Sequence, residues 1–104
     1  MDKVGYICVI VNKALPKIVR IVDTVDIGYL MLEANDYDPW RSYPYVCEMA
    51  LRVNGYREKK KALDALLEDF SDGTGGYCVP CEKVHGYLSL MDGELQVAVN
   101  FEER

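Results

Sequence analysis

Two apolar runs flanking a five-residue turn constrain this chain more than any other feature. Gly5-Tyr6-Ile7-Cys8-Val9-Ile10-Val11-Asn12 reads as a strand, Lys13-Ala14-Leu15-Pro16-Lys17 as a turn, and Ile18-Val19-Arg20-Ile21-Val22-Asp23-Thr24 as a second strand. Strand patterns separated by so few residues form a hairpin, and every later element has to be added to it.

The later elements alternate. Tyr45 to Val53 carries apolar residues at 47, 49, 51 and 53, with Glu48 and Arg52 opposite, a period of two that predicts a strand with one buried face. Asn54-Gly55 breaks it. From Tyr56 to Phe70 the apolar positions 56, 63, 66, 67 and 70 fall on one side of a helix, which Ser71-Asp72-Gly73 ends. Gly76 to Val79 is a short strand. Pro80 suits the first helical position because the helix has no use for its missing amide hydrogen. Val84, Tyr87, Leu88 and Met91 continue that helix, and Leu95, Val97, Val99 and Phe101 alternate as a last strand. Ile27, Leu30, Met31 and Ala34 give Asp26 to Asn35 helical spacing despite Gly28. The order is therefore ββαβαβαβ, without repeat or linker, in a single domain over residues 1–104.

At this length a domain buries roughly two thirds of the surface its unfolded chain exposes. No apolar run approaches the ~20 residues of a membrane span. Met1-Asp2-Lys3 lacks the basic start and apolar stretch of a signal peptide, so the chain is expected to be soluble and cytoplasmic, with no membrane partner. The net charge of −5 lacks the Lys and Arg excess by which proteins displace counterions from nucleic acid. Nucleic acid is a disfavoured partner on that ground. The basic run Arg57-Glu58-Lys59-Lys60-Lys61 reads as a solvated helix face.

The hairpin resembles the opening of the GIY-YIG nuclease superfamily, especially the phage-type branch whose turn runs Asn-x-x-(Leu/Met)-Pro, here Asn12-Lys13-Ala14-Leu15-Pro16. Tyr43-Pro44-Tyr45 before the third strand, the Leu-rich helix ending in Phe70, the short glycine-and-aromatic strand and the acidic helix from Glu82 to Met91 extend the resemblance over nearly the whole chain. It implies an α/β (α+β) fold with a small central mixed or antiparallel sheet flanked by helices. It also implies phosphodiester cleavage with one divalent cation on a glutamate, tyrosines that handle the attacking water, and an arginine that stabilises the phosphate.

Those residues are missing where the resemblance would put them. The tyrosine of the first strand is Cys8, and a motif glycine of the second is Val22. The glutamate would precede the aromatic of the fourth strand, where Gly75-Gly76-Tyr77 stand. The arginine would fall near Gly28, Tyr29 or Leu30, and a frequent histidine falls on Leu67. The expectation is a pseudo-nuclease: no catalytic residues, no cofactor, and a role in binding a macromolecule, mainly protein. The small size and phage-type resemblance suit an accessory or host-interaction factor. The alternative is a metal-dependent endonuclease with displaced ligands, using a divalent cation on Asp23, Asp26 or Glu48.

Three groups of residues are candidates for function. Tyr6, Arg20, Thr24 and Arg52 are a relict phosphate groove in one reading; in the other, Tyr6 packs on a helix and Arg20 is solvated. Cys78-Val79-Pro80-Cys81, with His85 one turn on, reads first as free structural thiols. A metal site of Cys78, Cys81 and His85, with Cys8 or Cys47 as fourth ligand, and a redox pair whose second thiol is lowered by the helix dipole are the alternatives. Cys8 and Cys47, set among apolar strand residues, are expected as buried free thiols. The segment from Asp36 to Tyr45 holds the only Trp and three of the eight Tyr. Tyr37, Trp40, Arg41 and Tyr43 are its protein-interface candidates, because Trp, Tyr and Arg dominate binding energy at interfaces. The competing reading closes Trp40 over the core.

Overall fold

The computed structural model describes residues 3–36, 45–73 and 75–99. Its elements are β1 (Val4–Asn12), β2 (Val19–Thr24), α1 (Ile27–Asp36), β3 (Tyr45–Asn54), α2 (Tyr56–Leu66), a 3₁₀ turn (Glu68–Phe70), β4 (Gly76–Tyr77), α3 (Cys81–Ser89) and β5 (Gly93–Val99). The strands form one sheet in the order β4-β2-β1-β3-β5. Every neighbouring pair is antiparallel, so the sheet is antiparallel rather than mixed.

The hairpin forms because Asn12 turns the chain with its own side chain. Its Oδ1 accepts the Ala14 N–H at 2.8 Å and its carbonyl accepts the Leu15 N–H at 2.8 Å. An Asn side chain that mimics a backbone turn is a common way to start a loop.

β1 lies at the centre, and both of its faces are covered. Ile7 and Val9 look toward α2 and α3, into a core with Val19, Ile21, Met49, Leu51, Val53, Tyr56, Leu63, Leu67, Val84 and Leu88. Cys8 and Ile10 look the other way, into a smaller cluster with Cys47, Ala50 and the α1 residues Ile27 and Met31. This double burial explains why Ile7 to Ile10 is a continuous apolar run rather than an alternation. Fully buried side chains such as Ile7, Leu51 and Leu63 each contribute about 1.5–3 kcal/mol of apolar burial.

β3 departs from its sequence pattern. Val9 pairs with Met49, but the next residue, Ile10, pairs with Cys47, so Glu48 is an extra residue in a β-bulge. Side chains alternate along a strand, and one inserted residue reverses the alternation. Met49, Leu51 and Val53 therefore face α2 and α3, while Cys47 is turned to the α1 side. The expectation that 47, 49, 51 and 53 share a face fails at 47 for this reason.

The helix ends also differ in detail. The helix expected from Tyr56 to Phe70 stops at Leu66 and tightens into the 3₁₀ turn, where the Leu67 N–H is shared between the carbonyls of Leu63 and Asp64. Leu66 points outward, 54% exposed, while Leu63 and Leu67 are sealed. Pro80 is the extended residue before α3 (φ −65, ψ 145), and Cys81 is the first helical residue. β4 hangs on α2 through a polar link: the Tyr77 hydroxyl donates to Asp64 Oδ1 at 2.9 Å, and Lys60 Nζ donates to Asp64 Oδ2 at 2.7 Å. Among the described residues no helix is long and apolar enough to cross a membrane.

Candidate functional site

The pairing register places Thr24, Tyr6 and Arg52 side by side across β2, β1 and β3, all on the α1 face of the sheet. β5 extends the row, because Arg52 pairs with Glu94. Arg20 is on the same face but pairs with Ile10, four residues from Thr24 along β2, or about 13 Å at strand rise. Three of the four groove candidates are thus neighbours and Arg20 stands apart, next to Gly76 of β4.

Their chemistry is largely committed. Thr24 Oγ accepts the Asp26 N–H and donates to the Asp26 carbonyl, both at 3.1 Å, and Asp26 Oδ1 caps α1 by accepting the Tyr29 N–H at 3.0 Å. Arg52 Nη1 reaches Glu94 Oε1 at 3.4 Å, with side chains 53% and 80% exposed, a pair that contributes little in water. Tyr6 is half-buried and packs against the cluster under α1.

Three of the positions where the resemblance would place catalytic groups, Cys8, Gly76 and Leu67, are closed. Cys8 has no exposed surface and lies beneath α1. A Cβ at Gly76 would come within 2.7 Å of Ile18 Cγ2, so this turn has no room for a glutamate. Leu67 is wholly buried against α2's core side. Tyr29 points outward, 59% exposed.

The substitute carboxylates are scattered. Asp23 pairs with Ile7 and so faces the side of the sheet opposite Tyr6. Asp26 is spent as the α1 cap. Glu48 sits in the bulge, where its charge is felt by both Cys47 and Cys81. The carboxylate that does join Tyr6 and Arg52 is Glu94, with Gln96 two pairs further on opposite Ala50. The alternation of Leu95 and Val97 puts 94 and 96 on the other face, but only the register reveals which strand they meet.

The C-x-x-C does not assemble. Cys78 is exposed, and Cys81 is half-buried against the larger core. Burial, then the charges of Glu48 and Glu82, push the Cys81 thiol up, the reverse of the lowering expected at a helix N-terminus. His85 is exposed, its carbonyl accepting the Ser89 hydroxyl at 2.8 Å. Cys8 and Cys47, proposed as a fourth metal ligand, lie across the sheet from Cys81. Among the described residues no three His, Cys, Asp or Glu side chains are grouped to hold a metal.

Tyr37, Trp40, Arg41 and Tyr43 lie outside the described residues. The helix α1 leading toward them carries apolar residues on its outer side as well as its inner one: Tyr29 and Leu32 are 59% and 69% exposed, and Val25, just before the helix, is 65% exposed. Tyr29 and Leu32, three residues apart, share one face of α1, and Val25 lies two residues before the helix begins. Comparison with protein-family models, curated proteins and solved structures returns no match to this chain.

Proposed function

We propose that this chain is a non-catalytic, GIY-YIG-like domain that acts by binding a protein partner. The observation that carries the reading is the closure of the catalytic positions: Cys8 is sealed under α1, Gly76 has no space for a side chain, and Leu67 is core. A side chain without access to solvent cannot touch a phosphodiester. The exposed apolar residues Tyr29 and Leu32 on α1, with Val25 just before it, support a protein as the partner, since exposed apolar surface marks interaction sites. The helix runs in sequence straight toward the aromatic segment. The acidic charge of the chain weighs against nucleic acid.

A metal-dependent endonuclease with displaced ligands is the second reading. Its specific support is the row of Tyr6, Arg52 and Glu94 on one face.

A photo-crosslinking amino acid at Leu32, in extract of the source organism, tests the first reading. The expected result is one dominant protein adduct, weakened by Tyr29→Asp and by Trp40→Ala when both variants keep the parent melting temperature. Trp40→Ala is expected to weaken binding by about 2 kcal/mol or more as a buried anchor. Adducts only to nucleic acid, or none at all, would reject a protein partner on this face.

A further inference from the structure

We infer that Cys8 and Cys47 are a redox-active thiol pair, converted by a small peroxide to a cross-strand disulfide beneath α1.

The bulge at Glu48 is what creates the pair. In an unbroken ladder Cys47 would share the face of Met49 and Leu51 and would be separated from Cys8 by the thickness of the sheet. The inserted residue turns it to the α1 side, opposite Ile10 and diagonal to Cys8. Both thiols are free, 0% and 4% exposed, and members of the same small cluster. Each thiol also perturbs the ionisation of the other. Cys47 Sγ–H donates to the Met49 carbonyl at 3.4 Å.

The two thiols differ in ionisation, and that difference sets the order of reaction. The neighbouring Cys8 lowers the Cys47 thiol against the cost of burial, while Cys47 in turn, with burial, pushes Cys8 up. Cys47 is therefore the nucleophile. Its thiolate attacks one oxygen of hydrogen peroxide, the O–O bond breaks, and Cys47 becomes a sulfenic acid with release of hydroxide, which takes up a proton. The Cys8 sulfur then attacks the Cys47 sulfur, the S–O bond breaks, and water leaves as the S–S bond forms. The thiols lose two hydrogens and two electrons, and the peroxide becomes two waters.

Two features make the step accessible. Diagonal neighbours across an antiparallel pair sit roughly 7–8 Å apart, a little beyond the roughly 4.4–6.8 Å Cα span of a disulfide. The bulge is where the ladder is already interrupted and can yield that difference. Access needs α1 to lift, and among the described residues α1 rests on a cluster of six buried residues against thirteen on the opposite face. The side with fewer buried contacts opens at lower free energy, and peroxide is close to water in size.

The test uses Cys78→Ser/Cys81→Ser to remove the other thiols. The folded variant is treated with hydrogen peroxide, then unfolded, alkylated and weighed. The expected product has lost the mass of two hydrogens and takes up no alkyl group. Adding Cys8→Ser or Cys47→Ser is expected to abolish it. Recovery of two alkylated cysteines, or oxygen addition without the two-hydrogen loss, would overturn the inference. Should the double variant fail to fold by circular dichroism, peptide mapping of the peroxide-treated native chain decides: a Cys8–Cys47 linked peptide supports the pair, and its absence overturns it.

Discussion

Gly5 has no side chain because the Tyr56 ring occupies its place. A Cβ at Gly5 would lie 2.5 Å from Tyr56 Cδ1 and 2.7 Å from both Cε1 and Cγ. Comfortable carbon contacts need roughly 3.5–4.0 Å, so Gly5→Ala requires the ring to withdraw by about 1 Å. Tyr56 is 4% exposed and belongs to the larger core, and overpacking of this kind costs about 1–3 kcal/mol. The ring is held at the first turn of α2, and Gly5 is paired in the sheet near the start of β1, so the upper half of that range, about 2–3 kcal/mol, is expected. Gly5 is not among the positive-φ glycines, and its backbone accepts alanine. Once the ring is gone, Gly5→Ala should stabilise the chain slightly, by about 0.4–1 kcal/mol, through lower unfolded-state entropy. Urea unfolding of the wild type, Gly5→Ala, Tyr56→Ala and the double variant measures this coupling. An equal effect of Gly5→Ala in both backgrounds would refute the packing of α2 on β1 described above.

Two further outcomes test the fold. Leu63→Ala should destabilise the chain by about 2–5 kcal/mol, whereas Leu66→Ala, at an exposed position of the same helix, should stay within about 0.5 kcal/mol. Comparable losses from the two would contradict the helix phase and the early end of α2. Burial, then the hydrogen bond to Asp64, pushes the Tyr77 hydroxyl up to about 12. The folded state holds this proton more tightly than the unfolded state, so the contribution to stability is complete below about pH 10 and is lost as pH rises toward 12. Ultraviolet titration should show late ionisation of Tyr77 that moves to lower pH in Asp64→Asn. No change in that variant would remove the link between β4 and α2.

Much of the fold was legible because its signals are local. The turn residues around Asn12, the period of two in β5 and the 3.6-residue spacing of Leu63, Leu67, Val84 and Leu88 act within a few residues, and the element order follows from them. The bulge was not legible. Cys47 is as apolar as Met49, so either face would accept it, and the choice depends on the partner strand. The shortened α2 was hidden for a related reason: Leu66 belongs to the apolar pattern in sequence but lies just past the edge of the buried stripe. At the candidate site, Tyr6 and Cys8 could be assigned to one face by alternation. The approach of Glu94 to Arg52 could not, because strand order across the sheet is a long-range property. The separation of Arg20 from Tyr6 likewise follows from register alone.

Nuclease activity tests the central claim most directly. Purified chain is incubated with plasmid, single-stranded DNA and RNA in Mg²⁺ or Mn²⁺, alongside Tyr6→Phe, Asp23→Ala, Glu48→Ala and Glu94→Gln. With Cys8 sealed and Gly76 without room for a carboxylate, every substrate is expected to remain intact in all samples. Cleavage by the wild type that disappears in Glu94→Gln, or in Asp23→Ala or Glu48→Ala, would contradict the pseudo-nuclease reading and establish a displaced metal site in its place.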